Sequence, residues 1–241
     1  MRPESLWTSA KFLIPALNEE ESLPKVLDSL FDLGIQPNQI LILDNGSKDS
    51  TPQIAINSGT ILIQEPEKGY GRACLAGIGY LLKNNISPEY IVFMDADGSD
   101  DPKDLNELFS VFSKAPDTDF VIGSRVFYAE PGSLSFLQKF GNWLSCLLIR
   151  IFYRVRFSDL GPFRILKWKS LLALELKDPT WGWNLEMQIK AIRKNLKFQE
   201  VSVHYGKRKG GKSKISGNLI GSLKAGAKIL YIFFKLTFFK I

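Results

Sequence analysis

"YIVFMDADGSDDP", residues 90 to 102, passes from five mostly apolar residues into four aspartates within seven positions. The apolar run has the length and β-branched character of a buried strand, and the acidic run begins where that strand must surface. Asp100-Asp101-Pro102 suits the cap of a helix starting at Pro102. Capping leaves Asp95 and Asp97 unexplained, because two carboxylates at i and i+2 repel each other unless a cation lies between them. With oxygen ligands only, and no His or Cys nearby, Mg²⁺ or Mn²⁺ suits the pair better than zinc. Such ions bind through one or two carboxylates plus substrate phosphates.

On both sides of this stretch, short apolar runs alternate with amphipathic ones. Strands are predicted at 12–14, 40–43, 61–63, 91–94 and 120–122, and helices at 20–31, 51–57, 71–83 and 102–113. This βαβα order implies an α/β, Rossmann-like, mostly parallel sheet with helices on both faces, whose ligands gather beyond the carboxyl ends of the strands. The polar clusters fall at those ends: "PALNEE" after the first strand, "DNGSKDST" after the second, "DADGSDD" after the fourth and "GSR" after the fifth. Asn45-Gly46 is a turn signal and Asp49 or Ser50 can cap a helix, which leaves Asp44 and Asn45 able to read a base or ribose edge. "EKGYGRA" sets Lys68 and two glycines before a helix, which suits close backbone approach to an anion.

The second half is more amphipathic. Apolar residues at 136, 140, 144, 147, 151 and 155 recur at helical spacing, flanked by Arg150, Arg154 and Arg156, and read as a core-facing stripe, with membrane contact as the alternative. "SDLGPFR" reads as a loop, "WGWNLEMQIKAIRKN" as a helix and "FQEVSVHY" as a strand. The single histidine, His204, reads as structural.

Charge and composition narrow the function classes. The 241 residues suffice for one α/β domain with a C-terminal extension, and the net charge of +6 is concentrated late, with five cations in Lys207–Lys214. That basic run suits nucleic acid, anionic lipid or a phosphorylated substrate. No zinc, helix-turn-helix or RNP signature speaks for nucleic acid, and a non-catalytic binding module would show salt-dependent binding indifferent to Asp97. Cys74 and Cys146 lie in apolar helical patterns, so a reducing compartment is expected. Residues 1–11 lack the apolar core of a secretory signal. The apolar stretch 229–241 is shorter than the ~20 residues that cross a bilayer, and suits either a membrane surface or the core.

The clusters "LIPALNEEESLP", "LILDNGSKDST", "KGYGRACLAGI", "VFMDADGSDDP", "VIGSR", "SDLGPFRIL", "WGWNLEMQIKAIRKN" and "GKSKISGN" occur in that order over nearly the whole chain. Together they resemble the family 2 glycosyltransferases of GT-A fold, and within them the dolichyl- or polyprenyl-phosphate sugar synthases such as dolichol-phosphate mannosyltransferase. The resemblance implies that Pro15, Leu17 and Glu19 line the nucleotide pocket with Leu43 and Asn45. It implies that Asp95, Ala96 and Asp97 hold the donor diphosphate and its Mg²⁺ or Mn²⁺, with Ser99 at a position that helps coordinate metal. Arg125, Arg208 and Lys214 match cations that grip the donor diphosphate and acceptor phosphate. Asn45 stands where the family carries an aspartate, and "LGPFR" replaces the family's "TSGFR" or "TGSFR". Lys139 is the nearest basic residue to a family arginine that has no clean counterpart here.

The resemblance thus implies an inverting, metal-dependent hexosyltransferase that uses a GDP- or UDP-hexose. The acceptor implied is a polyprenyl phosphate. A phosphate acceptor arrives ionised and needs no general base, whereas a hydroxyl acceptor needs one, for which Glu186 and Asp159 are the conspicuous carboxylates. The expected organisation is a GT-A domain over 1–213 and an amphipathic helix over 214–241. The expected location is cytoplasmic and peripheral on a membrane.

Overall fold

A computed structural model describes residues 6–210 and 219–238, and builds them around one seven-stranded sheet. Strands β1 (Ala10–Ala16), β2 (Ile40–Asp44), β3 (Ile61–Gln64) and β4 (Tyr90–Phe93) are parallel. With β5 (Phe120–Ala129), β6 (Arg164–Lys167) and β7 (Phe198–Tyr205) the order is β3-β2-β1-β4-β6-β5-β7, and β6 alone runs antiparallel to its neighbours. The helices are α1 (Leu23–Asp32), α2 (Thr51–Asn57), α3 (Tyr70–Lys83), α4 (Leu105–Lys114), α5 (Phe136–Tyr153), α6 (Trp168–Ala173), α7 (Trp183–Arg193) and α8 (Leu219–Phe238).

The central strands are apolar on both sides because both faces of the sheet are covered. Phe12, Ile14, Ile40, Ile42 and Val92 meet Leu27 and Leu30 of α1 and Leu108 and Phe109 of α4 on one face. Leu13, Leu41, Leu43, Ile91 and Phe93 meet Ala73, Cys74 and Leu81 of α3 and Trp183 and Met187 of α7 on the other. The strand order reverses direction at β1, so the crevice between the carboxyl ends of β1 and β4 is where an open α/β sheet collects ligands.

Two expectations need correcting, on the stripe of α5 and on the cap at Asp100. "SDLGPFR" is a loop through Phe163, and Arg164 begins β6. It is fully buried, donating from Nε to the Gly161 carbonyl at 3.0 Å and lying 5.7 Å from the centre of the Phe120 ring. A buried arginine in a four-residue strand has no hydrophobic pattern to announce it. The stripe at 136, 140 and 151 does not face the core. Phe136, Phe140 and Ile151 are exposed, and Ser145, Cys146 and Ile149 on the opposite side of α5 are buried. Only Asp101 caps the turn at Pro102, accepting from the Lys103 N–H at 3.0 Å, while Asp100 turns inward to accept the Asp95 N–H at 3.0 Å. Helix α8 falls within the expected 214–241, and its Ile232, Phe233 and Leu236 are buried against the second layer. Among the described residues no helix is long and apolar enough to cross a membrane. The expected boundary at 213/214 and Lys214 lie outside the described residues.

Candidate active site

At the end of β4 the chain turns through Asp95, Ala96, Asp97 and Gly98, and Gly98 takes φ +74°, a left-handed value that glycine adopts without strain. The turn is tied down by the Asp97 carboxylate: Oδ1 accepts the Ser99 N–H at 2.9 Å. Oδ2 accepts from Arg208 Nη1 at 2.7 Å, and the Asp97 carbonyl accepts the Lys209 N–H at 3.0 Å. The other arm of Arg208 donates from Nη2 to Glu19 Oε1 at 2.5 Å, and Glu19 Oε2 accepts the Ser22 hydroxyl at 2.8 Å. One guanidinium therefore bridges the ends of β1 and β4, across the crevice.

Asp95 shares this field. Burial, and then the charge of Asp97, push its carboxyl up to about 7, opposed by Arg125, Arg208 and the Tyr70 hydroxyl. Asp100 behind it is also raised, by burial and then by Asp95, and its Oδ1 is buried without a hydrogen bond. Folding thus lifts the Asp95 pKa above its ordinary 3.8, so the folded chain keeps a proton that the unfolded chain gives up. The Asp95 contribution to stability is complete at acid pH and is lost as pH rises from about 4 to about 7. Thermal melts of the metal-free protein across this range, set against Asp95→Asn, should show a steeper decline where Asp95 is present, the remainder coming from Asp100. Parallel profiles would contradict it.

Arg125, in β5, is locked from the other side. Nε donates to Asp159 Oδ2 and Nη2 to Asp159 Oδ1, each at 2.7 Å, and the Arg125 N–H donates to Oδ2 at 2.8 Å. Its guanidinium carbon lies 5.0 Å from the centre of the Tyr205 ring. The ion pair holds the Arg125 pKa above its ordinary value despite burial. Arg125 faces a cavity of about 560 Å³ between β5 and α5, walled by Leu134, Trp143, Leu147 and Phe157 and carrying Lys139, Arg150 and Arg156. Arg150 and Arg156 read in sequence as the flank of a core stripe, so only the observed outward turn of α5 reveals them as lining.

The residues expected at the nucleotide divide into two groups. Pro15, Leu17 and Glu19 follow one another at the end of β1 and Ala96 lies at the end of β4, both beside the crevice. Leu43 is fully buried in the second layer. Asn45 is committed to its own protein: Nδ2 donates to the carbonyls of Glu65 (3.1 Å) and Glu67 (2.7 Å), and Oδ1 accepts the Gly69 N–H at 2.6 Å. It staples the loop after β3 instead of presenting a free edge, and the Asp44 carboxylate likewise accepts the Ser47 N–H at 3.2 Å. The stapled loop then packs on the 178–180 backbone, where a Cβ on Gly71 would fall 1.9 Å from the Asp178 carbonyl oxygen. Gly71→Ala should therefore lower stability by about 2 kcal/mol or more, read by denaturant unfolding.

The structure brings Glu19, Asp97 and Arg208 into direct contact, and the charges of Arg125 and Arg208 act on Asp95. Ser99 is also present, buried, with its carbonyl accepting the Gly206 N–H at 2.7 Å. Glu186 is not free to act on a ligand: it accepts the N–H groups of Lys177 and Asp178 and pairs with Lys190 at 2.8 Å.

The family model "Glycosyl transferase family 2" matches residues 12–172. An uncharacterized glycosyltransferase of Mycobacterium tuberculosis is 34% identical over 88% of this chain and 92% of its own length. An undecaprenyl-phosphate mannosyltransferase of Micrococcus luteus is 29% identical, over 87% of this chain and 88% of its own. In shape, glucosyl-3-phosphoglycerate synthase of M. tuberculosis, solved with Mn²⁺, UDP and phosphoglyceric acid, superposes with a TM-score of 0.77. It is 18% identical, over 99% of this chain and 82% of its own.

Proposed function

Because the chain belongs to glycosyl transferase family 2, and is a glycosyltransferase of GT-A fold, we propose that it moves a hexose from a nucleoside-diphosphate sugar to a polyprenyl phosphate. The observation that carries the acceptor assignment is the cavity beside Arg125: three cations, Lys139, Arg150 and Arg156, set in an apolar wall. A lipid phosphate combines those two chemistries, whereas a saccharide offers neither. The carboxylates that a hydroxyl acceptor would recruit as base, Asp159 and Glu186, are both engaged, the first by Arg125 and the second by two N–H groups and Lys190. The undecaprenyl-phosphate acceptor named for the M. luteus relative supports the same reading.

Asp95 and Asp97 fit a hard divalent cation. Both are oxygen donors, Asp97 already holds a cationic group, and the raised Asp95 pKa marks a carboxylate pair short of positive charge. Among the described residues no third His, Cys, Asp or Glu completes a cage, which suits Mg²⁺ or Mn²⁺ sharing its remaining sites with donor phosphates and water. When bound, the cation neutralises charge growing on the departing diphosphate. The Mn²⁺ and UDP bound by the structural relative accord with this.

The chain's own residues supply the rest. Arg208 leaves its bridge to grip the diphosphate, while Glu19 and Asp97 hold the floor beneath it. Arg125, aligned by Asp159, faces the acceptor phosphate, whose oxygen attacks the anomeric carbon in line with the leaving group and inverts it. Lys214 joins this grip from outside the described residues. Ser99 supports the Asp97 turn through its backbone. The GT-A domain is assigned to 1–213, the helical extension to 214–241, and the site of action to the cytoplasmic face of a membrane, in keeping with the free, buried Cys74 and Cys146.

The test is a donor screen of UDP- and GDP-hexoses with Mn²⁺, measuring nucleoside diphosphate release with and without acceptor. Stimulation by a short-chain polyprenyl phosphate is the expected result. Stimulation only by saccharides or phosphoglyceric acid would overturn it.

A further inference from the structure

Helix α5 carries an array whose place in the fold is independent of the donor site. Phe136 is 80% exposed, Phe140 47% and Trp143 57%. Their rings form a chain, with centres 6.4 Å apart between Phe136 and Phe140 and 5.8 Å between Phe140 and Trp143. Positions 136, 140 and 143 share one side of the helix, and Lys139 and Arg150 fall on that same side, opposite the buried Ser145 and Ile149. Exposing three large aromatics in a row on a helix that has a buried face of its own costs solubility and marks a surface that meets something apolar.

Charge decides the occupant. From Pro131 to Phe157 there is no Asp or Glu, while Lys139, Arg150, Arg154 and Arg156 are all exposed cations. A protein partner is met by mixed charge, whereas an anionic bilayer offers an apolar interior beneath a negative surface, and aromatic rings set among lysine and arginine match that layering. We propose that the outer face of α5 docks on an anionic phospholipid bilayer, with Phe136, Phe140 and Trp143 entering the acyl boundary and Lys139 and Arg150 at headgroup level. The cavity between β5 and α5 then opens at the membrane surface, from which a lipid phosphate can slide in without leaving the bilayer. The purpose of the docking rests on the lipid-acceptor reading; the docking itself does not. The C-terminal apolar stretch, the other segment that the sequence offers to a membrane surface, has its Ile232, Phe233 and Leu236 occupied by the core.

The experiment uses the full chain and vesicles free of polyprenyl phosphate, either phosphatidylcholine alone or mixed with phosphatidylglycerol. Flotation should recover the protein with the anionic vesicles, and Phe136→Ser/Phe140→Ser should weaken that binding by about tenfold or more. Brominated acyl chains should quench wild-type fluorescence more than that of Trp143→Phe. Because Phe136 and Phe140 lie outside the donor site and the cavity lining, the double variant should keep its activity on a soluble short-chain acceptor. That assay separates failure of docking from failure of the transferase reading. Equal binding of wild type and double variant, or no preference for anionic vesicles, would overturn the proposal. So would a wild-type dimer that the double variant converts to monomer without any vesicle binding, since the face would then join two copies.

Discussion

Replacing Asp97 by Asn should lower hexose transfer by about a thousandfold while leaving the melting temperature almost unchanged. The fold survives because the Asn side-chain oxygen can still accept the Ser99 N–H that fixes the turn after β4. Chemistry does not survive, because the lost charge belongs to the carboxylate pair, Asp95 and Asp97, proposed to hold the cation. Stabilisation of a departing diphosphate by a bound cation is worth several kcal/mol, and each 1.36 kcal/mol is a factor of ten. Arg208 supplies the internal control. In the variant it loses the Asp97 arm of its bridge and keeps the 2.5 Å bond to Glu19, so it is not set adrift. Removing Arg208 instead, as Arg208→Gln, should cost about a hundredfold, since it deletes one positioned donor and leaves the carboxylate pair intact. Mn²⁺ titration of the metal-free proteins distinguishes the two: uptake should vanish for Asp97→Asn and strengthen for Arg208→Gln, where no guanidinium competes. Transfer by Asp97→Asn within tenfold of wild type would remove the carboxylate pair from the mechanism.

The parts of this arrangement that were legible in the sequence share one property: their cause is local. Strands β1 to β4 are apolar, β-branched runs ended by turn residues, and each was placed to within a few residues because burial on both faces leaves a continuous signature. The rim of polar clusters followed from that placement. What stayed hidden depends on distant chain. Whether Asn45 presents an edge or staples a loop is decided by the Glu65 and Glu67 carbonyls and the Gly69 N–H, some twenty residues on. Whether Glu186 is a base or a loop anchor is decided by the backbone at 177 and 178. The bridge from Arg208 to Glu19 spans almost the whole chain. The outer stripe of α5 shows a different limit, for aromatic periodicity reports that a face is apolar and not what covers it.

The second large effect is expected at Asp159. Its two oxygens hold the Arg125 fork at 2.7 Å each and Oδ2 also holds the Arg125 N–H, with the carboxylate almost wholly buried. Asp159→Ala leaves a largely buried guanidinium without a counter-charge, which costs about 3–5 kcal/mol and should lower the melting temperature by roughly 10 °C. Asp159→Asn is the gentler variant and the more telling one. It keeps an acceptor for the backbone N–H but cannot grip both arms of the fork, and the released guanidinium is drawn to Asp95 and Asp100, whose charges already act on it. Arg125 then neutralises those carboxylates and withdraws from the cavity. Transfer should fall by about a hundredfold, the cost of misplacing a positioned group by ~1 Å, with the acceptor KM rising more than the donor KM. Arg125→Lys should resemble Asp159→Asn, because an ammonium cannot accept the bidentate grip. In a double-mutant cycle the combined loss should therefore be far smaller than the sum of the two. Additive losses, or an Asp159→Asn enzyme with ordinary acceptor KM, would mean that Asp159 serves the fold alone and that Arg125 does not face the acceptor.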